Sequence, residues 1–256
     1  MKIISVVNQK GGVGKTMTAL NTASVLANLG YKTLIIDFDP QGNLDSGIGI
    51  EKDLKAQKNI YNVLMNGENI NNTIIATKVK NLDALPSTMD LAAFELEAST
   101  LDNREKFLKN AISSINNYYD YILIDCPPSL GMLTINSLVA SDSILIPLQC
   151  EFFALEGLSY LLETAERIKE NLNAKLNIEG ILLTMYDKRN KLTEQVEKDA
   201  RDCLGDLIFK TVIPRNVKLT ESTSFGIPAV IYDKNCSGAI AYNEFAKEMV
   251  NKNDRK

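Results

Sequence analysis

Residues 3–16 read Ile3-Ile4-Ser5-Val6-Val7-Asn8-Gln9-Lys10-Gly11-Gly12-Val13-Gly14-Lys15-Thr16. A nearly unbroken apolar run of strand length enters a turn with three glycines, and an amphipathic stretch begins at once. An apolar run without polar alternation is how a parallel strand covered on both faces reads. The glycines let the backbone turn tightly and aim successive amides at one spot. The helix N-terminus that follows adds partial positive charge, so the segment is an anion cradle. Lys15 can reach β- and γ-phosphates from there, and the Thr16 hydroxyl is placed to ligate Mg²⁺.

The alternation continues outward. Strand-like runs occur at residues 3–7, 33–37, 121–125, 143–147, 180–184 and 209–214, with a weaker one at 82–85. Amphipathic stretches at 16–29, 103–115, 155–172, 193–204 and 239–250 fall between or after them. The first should stop at Gly30, a residue suited to the left-handed position after a helix. Strands alternating with helices predict an α/β fold with a mostly parallel, twisted sheet and helices on both faces. Residues 52–80, rich in Lys and Asn, read as a surface excursion with one short helix near 61–65. No repeat, linker or charge block divides the chain, so residues 1–256 are expected to form one domain, with 251–256 a flexible polar tail.

The composition narrows the chemistry. Among 256 residues there is no histidine, which excludes His-based nucleophilic relays, His-ligated metals and an imidazole pH switch. Catalysis is left to carboxylates, lysines, hydroxyls, backbone amides or a bound metal. The four cysteines, Cys126, Cys150, Cys203 and Cys236, lack any metal-ligand spacing and read as reduced thiols of a reducing cytosol. The net charge of −4 means that any nucleic-acid binding must rest on a local patch.

Two further segments carry carboxylates. The second strand ends in Asp37-Phe38-Asp39-Pro40-Gln41-Gly42-Asn43, at the sheet edge where α/β proteins bind ligands. The strand at 121–125 ends in Asp125-Cys126-Pro127-Pro128, an apolar strand closed by a carboxylate, which is the Walker B form that holds Mg²⁺ through water. The glycine loop itself departs from the G-x-x-x-x-G-K-S/T pattern. Gln9 stands where the first glycine belongs, and a second lysine, Lys10, precedes the double glycine. A lysine there cannot easily fold back onto the γ-phosphate that Lys15 already faces, and one use for it is to reach another subunit's nucleotide.

Together these segments resemble the ParA/MinD family of deviant Walker A ATPases, most closely its ParA/Soj partition branch. Ile213-Pro214-Arg215-Asn216-Val217-Lys218-Leu219 and Gly226-Ile227-Pro228 are similar to that branch as well. The resemblance implies that ATP and Mg²⁺ are held by Lys10, Gly11, Gly12, Val13, Gly14, Lys15, Thr16 and Met17. It implies a homodimer closed over two nucleotides, with Lys10 crossing to the partner's phosphates. Asp39 would orient or activate the attacking water, Thr16, Asp37 and Asp125 would serve the metal, and Pro214 and Asn216 would flank adenine. Met17 stands where the family usually has a hydroxyl residue, leaving its backbone amide to serve.

The same branch implies non-specific DNA binding by the ATP dimer, release by a ParB-like activator protein, and a cytoplasmic, nucleoid-associated location. Lys188, Arg189, Arg215, Lys218, Lys247 and Lys252 are the candidate DNA contacts, with Arg255 and Lys256 beyond them. Two alternatives remain: a MinD-like ATPase that positions the division site, and a nucleotide-dependent binding switch with negligible hydrolysis. A membrane role of the MinD kind needs an apolar face on a final helix, and no apolar residue follows Val250.

Overall fold

A computed structural model of the protein describes residues 1–151 and 153–253. Seven strands form one sheet: β1 (Lys2–Val6), β2 (Thr33–Asp37), β3 (Ile75–Ala76), β4 (Leu82–Leu85), β5 (Tyr121–Asp125), β6 (Ser143–Gln149) and β7 (Asn177–Thr184). Their spatial order is β3-β4-β2-β5-β1-β6-β7, parallel throughout except for β3 against β4. The apolar strands are sandwiched, as their unbroken character requires. Ile3, Leu34, Ile36, Ile122 and Ile124 join a core on one face, and Ile4, Val6, Ile35 and Leu123 join a second core on the other.

The helices divide accordingly. Helices Met132–Ala140 and Ala154–Asn171 pack on the first face. On the second lie α1 (Lys15–Asn28), α2 (Asn43–Ile48) and the helix Ser237–Asn253. Gly30, at φ 100°, closes α1 with Gly30 N–H donating to Ala27 O and Tyr31 N–H to Leu26 O, a left-handed stop of the expected kind.

Register positions the site. Asp125 at the end of β5 lies opposite Val6 on one side and Asp37 on the other. Strands this far apart, about 4.8 Å, bring the two carboxylates level with each other. They sit beside the point where β1 leaves the sheet.

Three expectations change. The segment 209–214 is not a strand: it touches the sheet only at single parallel bridges, Ile181 with Ile208 and Tyr186 with Pro214. Phe209 and Ile213 still donate to Ile181 O and Leu183 O, but the Lys210 and Thr211 N–H groups go to the Glu248 carboxylate, at 2.7 and 2.9 Å. Pro214 has no N–H to give. Residues 103–115 form a 3₁₀ turn, Arg104–Lys106, and then a helix only over Phe107–Ser113. The last helix runs through Asn253, three residues into the segment expected as a tail. Asn253 Oδ1 accepts from Lys2 Nζ, and Lys252 donates to Asp206 O with its ammonium 5.0 Å from the Phe209 ring centre. Arg255 and Lys256 lie outside the described residues.

Candidate active site

The loop after β1 is pinned from below. Asn8 Nδ2 donates to Pro147 O at 2.7 Å, Asn8 Oδ1 accepts the Lys10 N–H at 2.9 Å, and Thr184 Oγ1 donates to Val13 O at 2.8 Å. Gly12 and Gly14 hold φ of 75° and 88°, a region that side chains other than glycine rarely enter. A Cβ added at Gly11, Gly12 or Gly14 would meet nothing within 4 Å, so the glycines are needed for the turn and leave open space above it. Gly14 caps α1, whose N-terminus points into that space. This is a phosphate cradle in form and charge.

The two lysines of the loop behave differently. Lys15 is buried and its Nζ folds back to Lys10 O at 3.2 Å, over the cradle. Burial lowers its pKa, against the pull of Asp125, Cys126 and Asp39. Lys10 points away from the cradle, half exposed, and pairs with Glu151. Met17 turns inward against the second core, which accounts for an apolar side chain where the family usually has a hydroxyl.

Asp37 and Asp39 divide the work at the end of β2. Asp37 is fully buried and accepts the N–H groups of Asp39, Leu44 and Asp45, so it holds the start of α2. Asp39 accepts the Gln41 N–H at 3.0 Å and is itself nearly buried. Asp45 joins them from α2, accepting the Ser87 N–H at 3.1 Å and pairing with Lys55 at 3.4 Å. Nothing in the sequence marks Asp45; only the turn at Gly42 brings it back beside Asp37.

Asp125 is the site's unpaired charge. Neither of its carboxylate oxygens makes a hydrogen bond of ordinary geometry among the described residues, although it is 1% exposed. Burial pushes its carboxyl up to about 7, against the Thr16 hydroxyl and Lys15, while the charges of Asp39 and Asp45 push it further. Asp37 is held well above the carboxylate range by burial and by its neighbours Asp45 and Asp125, and Asp45 is raised by burial to about 7. A buried carboxylate without a donor, beside a hydroxyl and an open cradle, fits a cation. Among the described residues no three acidic or thiol groups cage a metal unaided. That suits Mg²⁺, which usually keeps waters and takes phosphate oxygens beside one or two side chains.

The other predicted residues lie apart from this centre. Asn216 caps the helix Val217–Ser224 through the Lys218 N–H and donates to Ser237 Oγ at 2.8 Å, so both ends of its amide already have structural partners. Pro214 lines a surface cavity of about 920 Å³ with Lys188, Arg189, Lys210 and Arg215. A neighbouring cavity of about 880 Å³ shares Lys210 and adds Lys247 and Lys252. Lys218 lines neither and pairs with Glu221 at 2.8 Å. Lys210, which no sequence motif singles out, joins the two basic cavities; its place follows from the irregular segment that breaks the sheet ladder.

A family model described as AAA domain matches residues 1–178. The chromosome-partitioning ATPase Soj of Treponema pallidum is 48% identical over 249 residues, covering 97% of each chain. The chain belongs to the ParA/MinD family, on its ParA/Soj branch. Solved relatives share the fold of this branch. A plasmid partition protein from Borrelia burgdorferi superposes with a TM-score of 0.75 at 28% identity, covering 92% of this chain and 99% of that one. The cobyrinic acid a,c-diamide synthase of Mycobacterium smegmatis, solved with an ATP analog and magnesium, gives 0.83 at 33% identity, over 96% and 93%. The bound groups of that second protein suit the cradle and the orphaned carboxylate found here.

Proposed function

We propose that this ParA/Soj relative is an ATP-hydrolysing partition protein whose nucleotide-bound form pairs with a second copy and binds DNA without sequence preference. The observation that carries this reading is the division of the two loop lysines. Lys15 covers its own cradle, while Lys10 sits at the rim and turns outward. A lysine so placed serves phosphates that arrive from outside the subunit.

In this reading, residues 10–17 hold the ATP phosphates through backbone amides and Lys15. Thr16 and Asp125 would hold Mg²⁺, with Asp37 behind them, and the metal when bound neutralises phosphate charge. Asp39 orients the attacking water from the end of β2. Phosphoryl transfer asks mainly for positioning and charge stabilisation, which lysines, amides and one carboxylate supply without histidine. Pro214 and Asn216 lie on the adenine side. Hydrolysis is slow until DNA and a ParB-like activator are present, and the protein is cytoplasmic and nucleoid-associated.

A membrane-directed, MinD-like role fits less well. The apolar residues of the last helix, including Tyr242, Phe245, Met249 and Val250, are spent on the core. A pure nucleotide switch is disfavoured by the presence of both lysines and of Asp39 beside the cradle. The test is Lys10→Ala, studied by sedimentation with ATP and Mg²⁺ and by phosphate release. It should fold and bind nucleotide as one copy, yet neither pair nor hydrolyse ATP. A normal ATP-dependent dimer in this variant would overturn the reading.

A further inference from the structure

The helix Ala154–Asn171 carries a glycine that its own fold does not use. Gly157 is exposed, lies in the helix interior, and a Cβ there would meet nothing within 4 Å. Glycine inside a helix costs stability relative to alanine, so neither backbone conformation nor packing within this chain accounts for it. Its neighbours on the same helix face are Phe153, 71% exposed, and Tyr160, 58% exposed, one turn before and one turn after. Two aromatic rings flanking a bare patch of helix form a shallow saddle.

The saddle opens onto the loop of the active site. Gly157 and Phe153 line a pocket of about 230 Å³ with Asn8, Gln9, Lys10, Val13 and Leu148. The Nε2 of Gln9, the residue that replaces the usual first glycine, is buried and has no acceptor among the described residues. An unused amide donor beside a site of close approach suits an incoming backbone carbonyl. At the head of the saddle stand Lys10 and its carboxylate partner Glu151.

We propose that this saddle seats the backbone of a second copy of this chain, and that Lys10 leaves Glu151 when that copy docks. The inference rests on the nucleotide-dependent pairing proposed above and names the contact that permits it. Charge supports this occupant. A face that bears a lysine and a carboxylate side by side can meet its own copy about a two-fold axis, each sign facing the other. The small residue sets the distance of approach, and the aromatic rings supply the buried anchors typical of such contacts.

The test compares full-length wild type, Gly157→Ala and Gly157→Gln with a non-hydrolysable ATP analogue and Mg²⁺. Thermal melting reads the fold, a fluorescent ATP analogue reads nucleotide binding by the single copy, and sedimentation equilibrium reads pairing. Both variants should melt at or above the wild-type temperature and bind nucleotide equally well. Gly157→Gln should need at least about tenfold more protein to pair, a loss of roughly 1.4 kcal/mol. Wild-type pairing in Gly157→Gln overturns the saddle and leaves the active-site reading standing. The same holds if that variant pairs normally but loses response to an activator, since the saddle then serves another protein. A wild type that never pairs with nucleotide present overturns both.

Discussion

Each aspartate at the sheet edge owes its role to what its oxygens already touch. Asp37 spends its oxygens on three backbone N–H groups, so it is a bracket for α2. Asp39 gives one oxygen to Gln41 and stands at the mouth of the cradle. Asp39→Ala should therefore leave folding and ATP binding intact and lower single-turnover hydrolysis by about 10²–10⁴-fold, the range for a positioned acid or base. An unchanged single-turnover rate would assign the water to another group. Asp125 offers a different test, because burial holds its carboxyl at about 7 against an ordinary 3.8. Between those values the folded protein keeps a proton that the unfolded chain has released. The stabilisation is complete below the lower value and is lost as the pH rises through the upper one. Without nucleotide or Mg²⁺, the wild type should lose melting temperature between about pH 5.5 and pH 7.5 more steeply than Asp125→Asn. Parallel pH profiles for the two proteins would show that Asp125 does not titrate in this window.

At the scale of elements, Glu248 decides what becomes of residues 209–214. Its two oxygens take the N–H groups of Lys210 and Thr211, and one also accepts from Thr211 Oγ1. Glu248→Ala removes these acceptors at half-buried positions, with an expected cost of about 1–3 kcal/mol in denaturant unfolding. Hydrogen exchange should rise at Lys210 and Thr211 and stay unchanged at β1 and β5. Uniform exchange across the sheet would refute a local tie. The same interaction explains why this segment reads as a strand: its side chains have strand character, and the competing carboxylate is 38 positions away in sequence. The strands that flank the cradle are legible because burial on both faces leaves an unmistakable apolar run, and Gly30 stops α1 for a local reason. Helix Met132–Ala140 is not legible, since Thr134, Asn136 and Ser137 are buried along with its apolar residues and no wet face sets a period. The site divides in the same way. Lys10, Lys15 and Thr16 stand in one contiguous motif, whereas Asp45, Glu151 and Gln9's unused amide acquire meaning only from tertiary neighbours.

For the molecule as a whole, a net charge of −4 has to be reconciled with binding to a polyanion. The structure concentrates Lys188, Arg189, Lys210 and Arg215 around one cavity and Lys247 and Lys252 around the next. Two of the predicted cations are less available than their sequence suggests. Arg189 donates twice to Asp187, at 3.0 and 2.9 Å, and Lys218 is paired with Glu221 outside both cavities. The patch is thus small in one copy and gains strength only when pairing doubles it, which ties DNA affinity to nucleotide. DNA retention by the ATP-bound protein should fall steeply with salt, and more steeply than retention by the ADP-bound form. Replacing Lys210 and Arg215 together by alanine should weaken binding at every salt concentration. The log–log slope should flatten by about 0.9 for each phosphate that is no longer neutralised, counted twice in a paired molecule. Lys218→Ala should leave the slope unchanged. Equal retention with ADP and ATP, or a double variant that follows the wild-type curve, would move the DNA-binding surface away from these cavities.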